Sequence, residues 1–501
     1  MFHTKNQQNG SNISDESIES LTKDNDFWTW YLWILKTARI VDTNYSVKGS
    51  YVWLDWGYSL YHSIYTFTRE MYQELGHKQM QFPTLIKEET FLMETEFIRN
   101  FEDDVFWVDR EGHKTLEIGE RLALRPTSEL IIYPMFSRWI RSWRDLPLKV
   151  FQNVSIFRCE TNETRPLIRN RETIGFIEGH SAFENEDEAK VFLKALQEGY
   201  RKLFNNLGIP VKYIRVPDWD RFAGSTHTVD GYVLLPGSKS MELFTTAYLG
   251  TTFSKIFNIS YLDDNKETKE AHLLCYGPSI DRILASIIGI FGDDRGLRLL
   301  SNLTPIELII TPIFNRKNKD DVLSYARMIT EKLIAKGFTV ELDDDQQTTP
   351  GDKFYRAERL GIPIRLEIGG RELNNNQVTI TQRDTLEKET ITFDETKMKR
   401  LLTKKLHDID HRLKSEIDKD FKSKQINIAD WQNLRELVQK KQLFTDHFYL
   451  LGWCGQQKCA EQIETETSFT LLGYDNDEID NDSKCIICNL QGKLSVLSKR
   501  Y

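Results

Sequence analysis

FRCETNETRPLIRNRE, residues Phe157 to Glu172, sets Arg158, Arg165, Arg169 and Arg171 among Glu160, Glu163 and Glu172. Guanidiniums crowded into one short run repel each other, so keeping them together is costly unless something negative uses them. Arginine pairs its planar fork with phosphate oxygens, and neighbouring glutamates can hold the forks in place while accepting from an amine or a base. A solvated charged hairpin has the same composition. The surrounding chain must decide between the two readings.

Around this run, apolar residues continue densely from Asp26 (FWTWYLWIL) to about Leu300, with helical stretches between β-branched runs. Leu60, Ile64, Phe67, Met71 and Leu75 recur at helical spacing, Gly76 stops that helix, and an extended segment leads to Pro83. After Leu300 the pattern becomes a short β-type run (Glu307 to Ile313). A helix follows with Val322, Tyr325, Ala326, Ile329 and Leu333 on one face, closed by Gly337. Strands come next at Thr339 to Leu342, Ile364 to Ile368 and Gln377 to Thr381. A lysine-rich helical stretch, KMKRLLTKKLHDIDHRLKSEI, then leads into a last segment. We therefore expect a main domain over 25–300, a compact α/β domain over 301–398 and a third domain over 399–501. Residues 1–24, polar and nearly free of large apolar side chains, cannot repay the entropy of ordering and read as a disordered tail.

The chain has 501 residues, 40% hydrophobic and 28% charged, which is ordinary globular composition. No apolar run is long enough to span a bilayer, and the polar start lacks the core of a signal peptide, so the expectation is a soluble, cytoplasmic protein without membrane contact. Lys plus Arg is 66 and Asp plus Glu is 75, a net charge of 66 − 75 = −9, which by itself points to no polyanion partner. Six cysteines are too few for a disulfide framework in a chain of this length. Four of them, Cys454, Cys459, Cys485 and Cys488, form a C-x4-C-x25-C-x2-C arrangement. Two close pairs are how a chain builds tetrahedral thiolate coordination, and four protein ligands leave no open position, so Zn²⁺ there is expected to be structural. Cys159 and Cys275 read as packing residues.

Six motifs occur in a fixed order: LALRPTSE (Leu122 to Glu129), FRCE, TRPLIRNRE, EGHSAF (Glu178 to Phe183), RFAG (Arg221 to Gly224) and FSK (Phe253 to Lys255). In this order the chain, from about Trp28 to Tyr501, resembles the prolyl-tRNA synthetases of archaeal and eukaryotic type, which are class II aminoacyl-tRNA synthetases. The helix and strand ending at Pro83 match the family's motif 1, Phe157 to Glu172 its motif 2, and CYGPSIDR with GDDRGL (Cys275 to Leu297) its motif 3. The resemblance implies an α+β chain: an antiparallel-sheet catalytic domain, then an α/β anticodon-binding domain and a C-terminal zinc-containing α+β domain. It also implies a homodimer joined through motif 1, and a ligase that makes prolyl adenylate from proline, ATP and Mg²⁺ and passes the prolyl group to tRNA.

By that match Arg158 holds the α-phosphate of ATP, Arg169 and Arg282 hold the outer phosphates, and Glu160 and Glu242 stand beside the nucleotide. Thr127, Glu129, Glu160, Phe176, Glu178, His180 and Phe222 match the positions around the amino acid, where carboxylates suit a secondary ammonium and aromatic rings wall a pyrrolidine. No side chain is a covalent nucleophile in this scheme; positioning and charge stabilisation do the work. In the second domain TTPGDKF (Thr348 to Phe354), GIPIRLEIGG (Gly361 to Gly370) and Arg383 match the anticodon-binding module. An exposed Gly-Pro turn with Lys353, Phe354 and Arg371 offers single-stranded RNA stacking and charge. The family's last residue is a tyrosine that returns toward the active site, here Tyr501.

The pattern departs from the family along MELFTTAYLGTTFSK (Met241 to Lys255). Glu242 replaces a glutamine near ATP, Ala247 a histidine beside the amino acid, and Thr251-Thr252 a Gln-Asn pair. Phe176 stands for a tryptophan and Asp55 for a proline. Ala247 and Phe176 motivate a second reading, a paralogue that activates another amino acid or a proline analogue; against a third, a catalytically silent tRNA-binding regulator, stand the intact Arg158, Arg169 and Arg282.

Overall fold

Hydrogen bonding joins the first and last parts of the chain in one twelve-stranded sheet. The structure, a computed structural model, describes residues 22–91, 105–160, 164–478 and 482–501. Helix α1 (Phe27–Thr37) starts at Asp26, whose carboxylate accepts from the Thr29 amide, and buries Phe27, Trp30, Tyr31 and Ile34. Helix α2 (Asp55–Glu74) buries Leu60, Tyr61, Ile64, Thr68, Met71 and Tyr72 at helical spacing. It ends where Gly76 takes φ +83°, a conformation that only glycine adopts without cost. Strand β1 (Lys78–Gln79) follows, and Glu129 opens helix α3 (Glu129–Trp139).

Strands β2 (Leu148–Phe157) and β3 (Glu172–Phe183) form the antiparallel hairpin whose tip carries the arginine run, with Phe157 opposite Glu172. Helix α4 (Glu186–Leu207) is capped by Asn185, carries three acids in its first turn and ends at left-handed Gly208. Next come β4 (Lys212–Arg215), β5 (His227–Leu234), β6 (Ser240–Gly250), β7 (His272–Pro278) and helix α5 (Ile280–Phe291).

A second, five-stranded sheet follows: β8 (Leu308–Pro312), helix α6 (Lys319–Ala335), β9 (Val340–Leu342), helix α7 (Pro350–Leu360), β10 (Ile364–Ile368), β11 (Gln377–Gln382) and β12 (Lys388–Thr392). Its order is β9-β8-β10-β11-β12, with β8 parallel to both neighbours. The expected strand, helix and strands after Leu300 are all present. Helix α8 (Glu395–Ser423) lays Met398, Leu402, Leu406, Ile409, Leu413 and Ile417 onto the core that the two sheets share. The boundary expected at residue 398/399 falls inside this helix.

The last module adds β13 (Gln425–Asn427), β14 (Phe448–Trp453), β15 (Thr470–Asp475), β16 (Asp482–Lys484) and β17 (Gln491–Ser498). These strands extend the main sheet. Its order is β13-β14-β17-β15-β4-β5-β6-β7-β3-β2-β1, with β16 on β17, and β15 pairs with β4 through Ile214–Asp475 and Arg215–Tyr474.

One correction concerns the N-terminal segment. Residues 1–21 of the expected disordered tail lie outside the described residues, but Lys23 is held. Its Nζ donates to the carbonyls of Ile290 (3.2 Å) and Gly292 (2.7 Å) at the C-terminal end of α5, where a cation meets the helix's unpaired carbonyls.

Candidate active site

A cavity of about 310 Å³ opens on the face of the main sheet built by β2, β3, β5, β6 and β7. All eleven residues expected at the amino acid and ATP line it: Thr127, Glu129, Arg158, Glu160, Arg169, Phe176, Glu178, His180, Phe222, Glu242 and Arg282.

At one end lie two buried carboxylates. Thr127 donates its hydroxyl to Glu129 and stands 3.5 Å from Glu178. Gln152 Nε2 donates to Glu178 Oε2 (2.9 Å) and to the Ser128 hydroxyl (3.0 Å), while its Oε1 accepts from the Phe82 amide (3.0 Å). Burial, then the charge of Glu178, pushes Glu129 up to about 7, and burial raises Glu178 too. His180 meets the Tyr133 hydroxyl at 3.3 Å, and burial lowers it to about 3, so it is neutral at physiological pH. Phe176 and Phe222 supply apolar wall. This end suits a small cation with an apolar body.

The other end is cationic. Arg158 donates from Nε to the Pro126 carbonyl (3.3 Å); burial first, and then Arg282, lowers its pKa from the usual value. Arg169 is held by Glu160 at 2.7 Å. Arg282 donates to the carbonyls of Ile168 (3.1 Å) and Glu242 (2.9 Å). Its neighbour Asp281 accepts from Asn170 Nδ2 (2.8 Å) and the Gly175 amide (3.1 Å), so the start of α5 fastens the loop of the β2–β3 hairpin. Guanidiniums fixed this way before any anion arrives are preorganised to bind phosphate. Of the other two arginines in the run, Arg165 stacks on Trp28 at 4.3 Å and Arg171 on Phe106 at 4.7 Å. Glu163 lies outside the described residues.

The residues that departed from the expected pattern fall into two groups. Glu242 is answered by Arg282 at 3.8 Å and accepts from Thr245 at 3.2 Å. Ala247 is fully buried in the adjoining apolar cluster and does not line the cavity. Sequence reading missed Asp220, Thr228, Asp230 and Thr245, which also line it. A lone acid inside the apolar strand HTVDGYVL was the available signal for Asp230. Burial, then Glu242, raises Asp230 well above the usual carboxylate range, and its Oδ1 has no hydrogen-bond partner among the described residues. Asp230 and Glu242 therefore fit a hard cation with oxygen ligands.

In the five-stranded unit, two of the candidate RNA contacts lie buried. Lys353 is buried and donates to the Asp343 carbonyl at 2.6 Å. Arg383 is buried and pairs with Asp293 at 2.6 and 2.8 Å. Both cations are spent inside the protein, and the expected Gly-Pro turn is the first turn of α7, capped by Thr349. Phe354 lines a second cavity, about 290 Å³, with its ring under Arg365 (4.2 Å) and Lys388 (5.3 Å). Arg371 is exposed outside that lining.

In the last module the four sulfurs of Cys454, Cys459, Cys485 and Cys488 lie within 4.8 Å of one another. Cys454 is 3.7 Å from Cys459 and 3.6 Å from Cys488. A tetrahedron with metal–sulfur bonds of about 2.3 Å places its sulfurs about 3.8 Å apart, so the set fits zinc. Tyr501 packs edge-on against Trp28 and bonds the Ser238 hydroxyl, and does not line the active cavity. No helix among the described residues is long and apolar enough to cross a membrane.

Three family models match the chain: the tRNA synthetase class II core domain (G, H, P, S and T) over 106–291, an anticodon binding domain over 307–401, and the prolyl-tRNA synthetase C-terminal domain over 438–501. The proline–tRNA ligase of Methanopyrus kandleri is 38% identical over 95% of this chain and 96% of its own. That of Methanobrevibacter smithii is 37% identical over 95% and 99%. The Giardia lamblia prolyl-tRNA synthetase in complex with prolyl-adenylate superposes with a TM-score of 0.89 at 30% identity, covering 96% of this chain and 99% of that one.

Proposed function

This chain belongs to the prolyl-tRNA synthetase family, and on that premise we propose that it activates proline with ATP and transfers the prolyl group to tRNA. The observation that carries the reading is one cavity with a carboxylate pair at one end and three arginines at the other. Glu129 and Glu178 take the secondary ammonium of proline, with Phe176 and Phe222 against its ring. The proline carboxylate, held at the junction, attacks the α-phosphorus of ATP in line. Arg158 meets the charge that grows on the α-phosphate, and Arg169 and Arg282 hold the departing pyrophosphate. Mg²⁺ entering with ATP neutralises phosphate charge, and Glu242 and Asp230 are the side chains that would hold it.

The anticodon contacts are proposed for the Phe354 cavity, where an aromatic face flanked by cations suits an unstacked base. Zinc at the four cysteines is structural. The protein is proposed to be a homodimer joined near α2. Tyr45, Val47, Val52 and Tyr58, each about half exposed, lie on this helix and the segment before it, and exposed apolar side chains suit an interface.

Amino-acid-dependent pyrophosphate exchange with a panel of amino acids, followed by charging of total tRNA, tests the reading. Proline-dependent exchange and prolylation are expected. Exchange with another amino acid alone, or with none, overturns it.

A further inference from the structure

The loop between β4 and β5 reaches the cavity through Asp220, Arg221, Phe222 and Ala223. It turns at Gly224 (φ +75°), where a Cβ would come within 2.8 Å of the Phe253 ring, so the loop lies flat on that ring. Within the loop the Asp220 amide donates to the Pro217 carbonyl (3.0 Å) and the Ser225 amide to the Phe222 carbonyl (3.0 Å), and Arg221 bonds the Thr226 carbonyl and pairs with Asp218 at 3.5 Å. Trp219 and the wall residue Asp220 are gripped from outside. Trp219 packs edge-on to Trp453 with centroids 5.6 Å apart, and Trp453 directly precedes Cys454. Asp220 receives both arms of Arg500, Nη1 to Oδ2 at 2.6 Å and Nη2 to Oδ1 at 3.3 Å. Arg500 follows β17, and its own backbone is stitched to the start of β6: the Ser240 amide donates to the Lys499 carbonyl (2.8 Å) and the Tyr501 amide to the Ser240 carbonyl (3.2 Å).

We propose that Arg500 is a positioning residue for the amino-acid pocket: by clamping Asp220, the four-cysteine module holds Phe222 against the substrate ring. A two-pronged guanidinium–carboxylate pair fixes direction as well as distance, and it acts on a residue of the cavity wall two positions before Phe222. Phe222 faces the amino-acid end, so the clamp acts there first; the charge of Arg500 also reaches Asp230, while Arg158, Arg169 and Arg282 are held by contacts of their own. The inference rests on the proposed activation of proline, although its effect on the loop does not.

Arg500→Ala and Arg500→Lys test it in the full-length protein. In pyrophosphate exchange at saturating Mg²⁺, Arg500→Ala is expected to raise KM for proline on the order of tenfold, with KM for ATP rising by much less. Arg500→Lys, which keeps the charge and loses the fork, falls between. Hydrogen exchange of the 217–225 amides speeds up in Arg500→Ala, while that of 491–498 does not. An unchanged KM for proline, an equal rise in both KM values, or unaltered exchange at 217–225 overturns the proposal. If Arg500→Ala loosens 491–498 as well, Arg500→Lys decides: an unmoved KM for proline there, with 491–498 intact, also overturns it. A wild type without proline-dependent exchange removes the functional reading, and the amide measurement still decides the clamp.

Discussion

Glu129 and Glu178 both bond Thr127 and are both buried, and burial favours the protonated carboxyl at each, aided at Glu129 by the charge of Glu178. Proline arrives with its own positive charge, so binding favours the doubly ionised pair and releases a proton. With Glu129 at about 7, KM for proline should rise as pH falls from 8 to 6, by up to about tenfold per unit below 7. Pyrophosphate exchange across that range measures it, and a flat KM would show that the pair keeps its proton with the amino acid bound. The sign for stability is opposite: Glu129 has a folded-state pKa above its ordinary 4.5. Its contribution is complete below 4.5 and is lost as pH rises through about 7. A second expectation concerns Arg158. Arg158→Ala should lower adenylate formation by about 10²- to 10³-fold while tRNA binding, measured by filter retention, stays nearly intact; equal loss of both would show the role misplaced. The cavity residues were legible because local motifs name them. The burial of Lys353 and Arg383 was not legible, because it depends on which partner the fold brings alongside.

At the scale of elements, the β2–β3 hairpin and the helix ending at Gly76 follow from periodicity and turn chemistry that neighbouring residues carry themselves. The coupling of α5 to the five-stranded sheet does not. Asp293, just after α5, pairs with Arg383 after β11, and Trp56 on α2 donates to the Leu360 carbonyl at 3.0 Å. These contacts join segments that no local pattern relates. Arg383→Ala leaves the part-buried Asp293 without its cation, and the cost should be about 2–3 kcal/mol in urea unfolding, toward the low end for a broken internal pair. Affinity for the anticodon stem-loop should hardly change. A large loss of that affinity with unchanged stability would return Arg383 to RNA contact.

For the whole molecule, the four-cysteine module continues the catalytic sheet through β15 and β4, so its order is tied to the active site. Full-length protein should carry about one equivalent of zinc. Chelating it should lower the melting temperature and reduce proline activation together; activation that survives with the module unfolded would show the two parts to be independent. Legible in the sequence were the family motifs, the cavity's residue types, the set of four cysteines and the elements of the five-stranded unit, because each is written in residues close together in the chain. Only the tertiary structure decided that one sheet spans the first and last modules, that Arg500 reaches Asp220, and that Lys353 and Arg383 are consumed internally. Those facts depend on strand pairing and burial between residues far apart in sequence, and the free energy that selects among such pairings belongs to the packed whole.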